Sequence, residues 1–255
     1  MKISFTKKEI INIIVSALVL GFVFGFDDGH EFFDLQVWFS NYMLMVALSL
    51  ISLIVMILGH KWAAGRYNIQ TEYNLWGISR FGFKDYQYVH PNKVMNRFPL
   101  GIILPIFIAV FSEGQIWLAS VAMVLTSVNM AHRIGKKWVH DTDYEEARIM
   151  FAGVMATTLA IILLGFAFEQ TGAELWKQLI FINVALLLSH MLPFPQLAGG
   201  RMLFTSMYLF VFALVITAVT SFLVLLIPAV STLMIALILA IVAVIAVYFK
   251  REVPQ

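Results

Sequence analysis

The chain has 255 residues, 61% of them hydrophobic and only 13% charged, with a formal net charge of +2. A soluble domain carries about a quarter charged residues, so this composition points to a polytopic membrane protein. There is no cysteine, which excludes a disulfide framework, a thiolate metal site and a cysteine nucleophile.

The start, Met1 to Lys8, is basic and leads into an apolar run. No small-residue cleavage site precedes "FDDGHEFFD", so the run reads as a retained first span rather than a removed signal peptide. A helix crossing a bilayer needs roughly 20 apolar residues. Candidates lie at 9–26, 41–59, 99–112, 116–131, 149–168, 178–195, 203–225 and 228–249. The pair 99–112 and 116–131 is short and joined by "SEGQ"; it is two spans or one re-entrant hairpin, and both return the chain to the same side. Between the second and third spans, "RYNIQTEYNLWGISRFGFKDYQYVHPNK" (Arg66–Lys93) alternates aromatic and polar residues. It reads as short strands or an aromatic hairpin at the cytoplasmic interface, with Trp62, Tyr67, Tyr73, Trp76, Tyr86 and Tyr88 as an interfacial belt. A sheet edge cannot face lipid unsatisfied, so such strands pair with one another, with protein, or with a bound extended segment.

The fold class expected is therefore an all-α polytopic membrane protein of six to eight spans with a small interfacial β element. Its organisation is an N-terminal span and outer acidic loop (1–40), a membrane core (41–204) carrying the insert at 66–93, and a C-terminal hairpin (205–255) around Pro228. Cytoplasmic loops are enriched in Lys and Arg. With both termini inside, sixteen of the seventeen basic residues fall on that side and only Lys177 lies outside. The expected location is the plasma membrane. The "HRIGKKW" patch (His132–Trp138) reads as a topology signal that contacts anionic lipid, and nothing in so short a patch points to nucleic acid.

Ionisable groups inside spans are costly and usually functional. Here His190 is the clear case, and His60 stands at a span's end. No acid lies in a span interior; Glu9 opens the first. That disfavours a transporter or channel driven through membrane carboxylates, and an aspartyl protease. Ser189 and His190 are adjacent and point in different directions, while Ser52 and His60 are two turns apart, so neither makes a nucleophile–base pair. By position alone His60 reads as a helix C-terminal cap, and His190 as a histidine hydrogen-bonded across helices. Pro193, Pro195, Gly199 and Gly200 read as the end of a span followed by a turn.

Two segments carry a resemblance. "LLLSHMLPFPQLAGGRMLF" (Leu186–Phe204) looks like the "N-x-x-P-x-x-P-L-D-G-G-R" motif of the site-2 protease (M50) family of intramembrane zinc metalloproteases. "VMILGHKWAAGRYNIQTEY" (Val55–Tyr73) is similar to that family's "H-E-x-x-H-K-x-x-A-x-x-Y-G" segment as written in archaeal members. Between them, Ala152 and Gly153 match the family's "A-G-P-x-x-N" helix, with Val154 and Thr157 in place of its proline and asparagine. The resemblance covers residues 41–204 and implies a three-helix core at 41–60, 149–168 and 178–195.

Carried over residue by residue, the family's catalytic set is largely absent. Its first zinc histidine falls on Met56, its glutamate base on Ile57, its second zinc histidine on His60 and its zinc aspartate on Ala198; the asparagine opening the proline motif falls on His190. Only His60 survives as a ligand, and one imidazole does not hold zinc. The resemblance then implies a catalytically inactive homologue, with no cofactor, whose cleft of His60, His190, Pro193, Pro195, Gly199 and Gly200 binds a transmembrane or extended segment of a partner subunit. The alternatives are an active zinc-dependent intramembrane protease, and a transporter or channel. A rewired metal site of His60 and His190, completed by water, His132 or His140, is a further arrangement the residues allow.

Overall fold

A computed structural model describes residues 4–27, 34–77, 99–128 and 143–252. Eight helices and one small sheet account for most of them: α1 (Lys7–Phe24), α2 (Leu35–Arg66), β1 (Ile69–Leu75), α3 (Leu100–Phe111), β2 (Ala122–Val128), α4 (Asp143–Thr171), α5 (Glu174–His190), α6 (Ala198–Thr205), α7 (Met207–Leu223) and α8 (Ala229–Glu252). Among the described residues, α2, α4 and α8 are long and apolar enough to cross a membrane, and α3 and α7 are shorter apolar helices.

Local chemistry sets the boundaries. The Thr6 hydroxyl accepts from the Glu9 amide at the start of α1, and the Asp34 carboxylate accepts from the Gln36 amide at the start of α2; both satisfy donors a helix N-terminus leaves free. Gly172, at φ +62°, closes α4, its amide reaching the Phe168 carbonyl at 2.7 Å, a conformation only glycine adopts without cost.

The helix α4 is the hub and packs on α2, α5, α6, α7 and α8. Its face of Ala147, Met150, Val154 and Ile161 meets Ala64, Ile180, Leu187, Ala198 and Met202 in the main core. A second core joins α1 and α2 to the sheet, with Leu20, Leu53, Met56, Tyr73, Ala122 and Leu186. Many large apolar side chains stay exposed instead, above all along α8, where Val230, Met234, Ile238, Val242 and Phe249 all face outward.

Three expectations are corrected, and the strand pairing left open is decided. Residues 116–128 are not a helix: after the turn at Ser112–Gln115 the chain returns extended as β2, so residues 99–128 are a helix followed by a strand. The partner of β1 is this β2, antiparallel with Ile69 opposite Val128 and Leu75 opposite Ala122, and the insert at 66–93 does not pair with itself over its described part. The span read at 178–195 ends at His190, and Gly199 and Gly200 lie in the first turn of α6 rather than in a loop. Finally, α2 runs six residues past His60, so His60 caps nothing. Of the aromatic belt, Tyr73 and Trp76 are buried and Trp62 is exposed. Tyr86, Tyr88, His132, His140 and the "HRIGKKW" patch lie outside the described residues.

Candidate functional site

Helical spacing puts Met56, Ile57 and His60 on one buried face of α2, and this face meets α4 where α4 has no side chain. A Cβ at Gly153 would stand 2.1 Å from His60 Nε2, 2.3 Å from Cε1 and 2.5 Å from Cδ2. The imidazole therefore lies flat in a notch that only glycine provides. Among the described residues neither ring nitrogen of His60 has a hydrogen-bond partner in good geometry; the polar groups nearest it there are the Met56 carbonyl, His190 and Arg201.

His190 is the last residue of α5. Its Nδ1 faces the Leu186 carbonyl at 2.8 Å, and the backbone of Ala122 on β2 lies against the ring as well. The bond is thus within its own helix, with β2 rather than another helix across from it. Ser189 is engaged elsewhere, accepting from the Ala119 amide at 2.9 Å. Ser52 accepts from Asn183 Nδ2 at 2.9 Å, far from either histidine.

Ala198 is buried in the core beside Ala64, Ala147 and Leu187. The two glycines after it serve close approach: a Cβ at Gly199 would come within 2.2 Å of the Met191 carbonyl oxygen, and one at Gly200 within 1.9 Å of that of Phe194. The chain 191–197 folds back onto α6 through these two contacts. Pro193 and Pro195 are exposed on the outside of that turn. The structure thus gathers Met56, Ile57, His60 and His190 and leaves the prolines at the surface.

Three residues of this region were not singled out from the sequence. Glu146, two turns before Gly153 on the same face of α4, pairs with Arg201 of α6 at 3.6 Å and accepts from the Thr126 hydroxyl of β2. Their spacing carried a signal: 146, 150, 153 and 157 form one helical stripe. Glu146, Arg201 and Thr126 tie β2 to α4 and α6 beside the two histidines.

The sheet edges differ. The pair Trp76–Val121 is joined by the Trp76 amide and the Val121 carbonyl at 3.0 Å; by alternation, the even residues of β1 bond β2 and the odd ones point away. That outer edge of β1 is closed by side chains. Glu9 Oε1 accepts from the Tyr73 amide at 3.1 Å, Asn12 Nδ2 donates to the Tyr73 carbonyl at 3.2 Å, and Lys61 Nζ donates to the Thr71 carbonyl at 3.0 Å. The carboxylate of Glu9, fully buried, also pairs with Lys61 at 3.0 Å. On β2 the outward residues are Ala122, Val124 and Thr126. Among the described residues no hydrogen bond reaches the outward backbone of Val124 or Thr126.

Among the described residues no group of three His, Cys, Asp or Glu side chains stands together that could hold a metal ion. A zinc site needs at least three N, O or S ligands with their second partners in place. Comparison with protein families, with curated proteins and with solved structures returns no match.

Proposed function

We propose that this chain is a membrane protein of site-2 protease type whose catalytic centre is dismantled, and that it binds an extended segment of a partner membrane protein along β2. The reading is carried by one observation: the sheet is closed on its β1 edge by Glu9, Asn12 and Lys61, whereas among the described residues no hydrogen bond reaches its β2 edge at Val124 and Thr126. In a bilayer an unpaired strand edge is costly and is tolerated only against protein or in a wet cavity. A strand of another chain satisfies it and places its side chains beside Glu146, Arg201 and His190, the mode of β-augmentation.

The resemblance adds the second half of the reading. Met56, Ile57 and Ala198 occupy the places of two ligands and the base, so there is neither a Lewis acid nor a general base to activate water. What persists is the scaffold that would position an extended chain, used here for binding. The membrane setting is supported by the three long apolar helices and by the apolar exterior of α8. The distribution of basic residues supports a cytoplasmic N-terminus and C-terminus.

The test is site-directed photo-crosslinking in cells, with a photoreactive amino acid at Thr126 on the open edge and, as control, at Gln70 on β1. A discrete membrane-protein adduct from Thr126, absent from Gln70, supports the reading. Equal adducts from both positions, or release of a cleaved product from the captured protein, would contradict it.

A further inference from the structure

A groove of about 580 Å³ runs between α2 and α4, on the side of these helices away from His60. Its walls are apolar: Val55, Gly59 and Trp62 from α2, and Ala152, Ala156 and Leu159 from α4. The floor is close-packed, since a Cβ at Gly59 would stand 2.6 Å from that of Ala156. This volume falls among the ~300–1,000 Å³ typical of small-ligand sites.

One end of the groove is basic. The helices run antiparallel here, with His60 opposite Gly153. Arg66 follows Trp62 by one turn on α2, and Arg148 precedes Ala152 by one turn on α4, so both guanidinium groups stand at the same end. Arg66 lies over the Trp62 ring at 4.0 Å. Arg148 donates to the hydroxyls of Tyr67 at 3.3 Å and Tyr144 at 3.2 Å. Both arginines are exposed, and among the described residues neither makes an ion pair with a carboxylate.

We propose that this groove binds an anionic phospholipid, with one acyl chain along the apolar walls and the phosphate held by Arg66 and Arg148. The dimensions agree. From Val55 to Arg66 the helix rises about 16 Å, close to one leaflet of a hydrocarbon core about 30 Å thick. The groove therefore ends at headgroup depth, where the two arginines stand. Guanidinium groups hold phosphate oxygens through paired N–H donors; stacking on Trp62 aims Arg66, and Arg148, stacked on Tyr144, spends two of its N–H donors on the Tyr67 and Tyr144 hydroxyls and keeps the others. A partner helix in the same groove would desolvate two cations that pair with no carboxylate among the described residues, which is costly. A zwitterionic lipid brings the same phosphate together with a quaternary ammonium, and so compensates them less.

The proposal rests on the membrane setting and is independent of the dismantled-site reading. The experiment uses the full chain in phosphatidylcholine vesicles carrying brominated phosphatidylglycerol or brominated phosphatidylcholine. The quenching of Trp62 is read as the difference between the wild type and Trp62→Phe. The expected result is a preference on the order of tenfold for phosphatidylglycerol at Trp62, falling to near unity in Arg66→Gln/Arg148→Gln. Should that double variant not fold, Arg66→Gln alone, whose guanidinium lies over the exposed Trp62 ring, should lose most of the preference. Equal quenching by both lipids would make the groove an ordinary lipid-facing surface and overturn the proposal. An equal preference at the other tryptophans would make it a general surface potential, with the same consequence. Absence of quenching at Trp62 alone would mean that protein covers the groove, and also overturns it. Absence at every tryptophan would contradict the membrane setting itself, which separates the two failures.

Discussion

His60 rests on the bare α-carbon of Gly153, with its Nε2 where a Cβ would come within 2.1 Å. This contact joins two residues that the site-2 protease resemblance singles out, one on α2 and one on α4. The imidazole is held flat between two helices, buried on both sides.

Gly153→Ala tests that coupling by sign. In a helix interior the change should gain about 1 kcal/mol of propensity, but here the methyl group meets the ring. The expected outcome is a loss of about 1–3 kcal/mol, as for other overpacked cores. In a His60→Ala background the same change should be stabilising. Thermal unfolding of the four proteins in detergent gives the cycle, and additive effects would sever the two residues.

The buried pair Glu9–Lys61 gives a second outcome. Glu9→Gln leaves Lys61, which also donates to the Ser4 and Thr71 carbonyls, without its counter-charge. Breaking a buried pair from one side costs about 3–5 kcal/mol, whereas replacing both partners by apolar residues is near neutral. Glu9→Leu/Lys61→Met should therefore be more stable than Glu9→Gln, measured by the same melts.

The register of β2 can be read with proline. Leu125 faces Glu72 in the ladder, so Leu125→Pro removes an inter-strand bond and should cost at least about 1 kcal/mol. Val124→Pro removes an amide that points off the open edge. Because Val124 is also buried in the main core, its effect is read against Val124→Ala: the proline variant should melt close to the alanine variant and abolish the Thr126 crosslink. A further loss of stability in the proline variant would mean that the edge is already paired.

Much of the helical framework was legible because apolar runs of 17 residues or more leave few alternatives to a helix. Residues 116–128 were misread for a physical reason: a strand buried on both faces is a continuous apolar run, as a buried helix is, and only its flanking turns differ. The continuation of α2 past His60 was hidden by Lys61 and Arg66, which read as the end of a span. In the fold Lys61 is drawn inward by Glu9, 52 positions away, and no local pattern announces so distant a pair. Gly199 and Gly200 were expected for their backbone freedom; they are needed because carbonyl oxygens of residues 191 and 194 press against them. The pairing of Glu146 with Arg201 carries no local signal, since it depends on how α6 packs on α4.

The proposal that Met56, Ile57 and Ala198 stand in place of a catalytic set is tested most directly by metal content. Protein purified in detergent from zinc-replete medium should hold less than about a tenth of an equivalent of zinc, since a lone imidazole does not retain the ion. The triple variant Met56→His/Ile57→Glu/Ala198→Asp should take up close to one equivalent. Near-stoichiometric zinc in the wild type, lost on His60→Ala or His190→Ala, would contradict the dismantled centre and restore an enzyme reading. A folded triple variant that stays empty would show that the motif is misplaced.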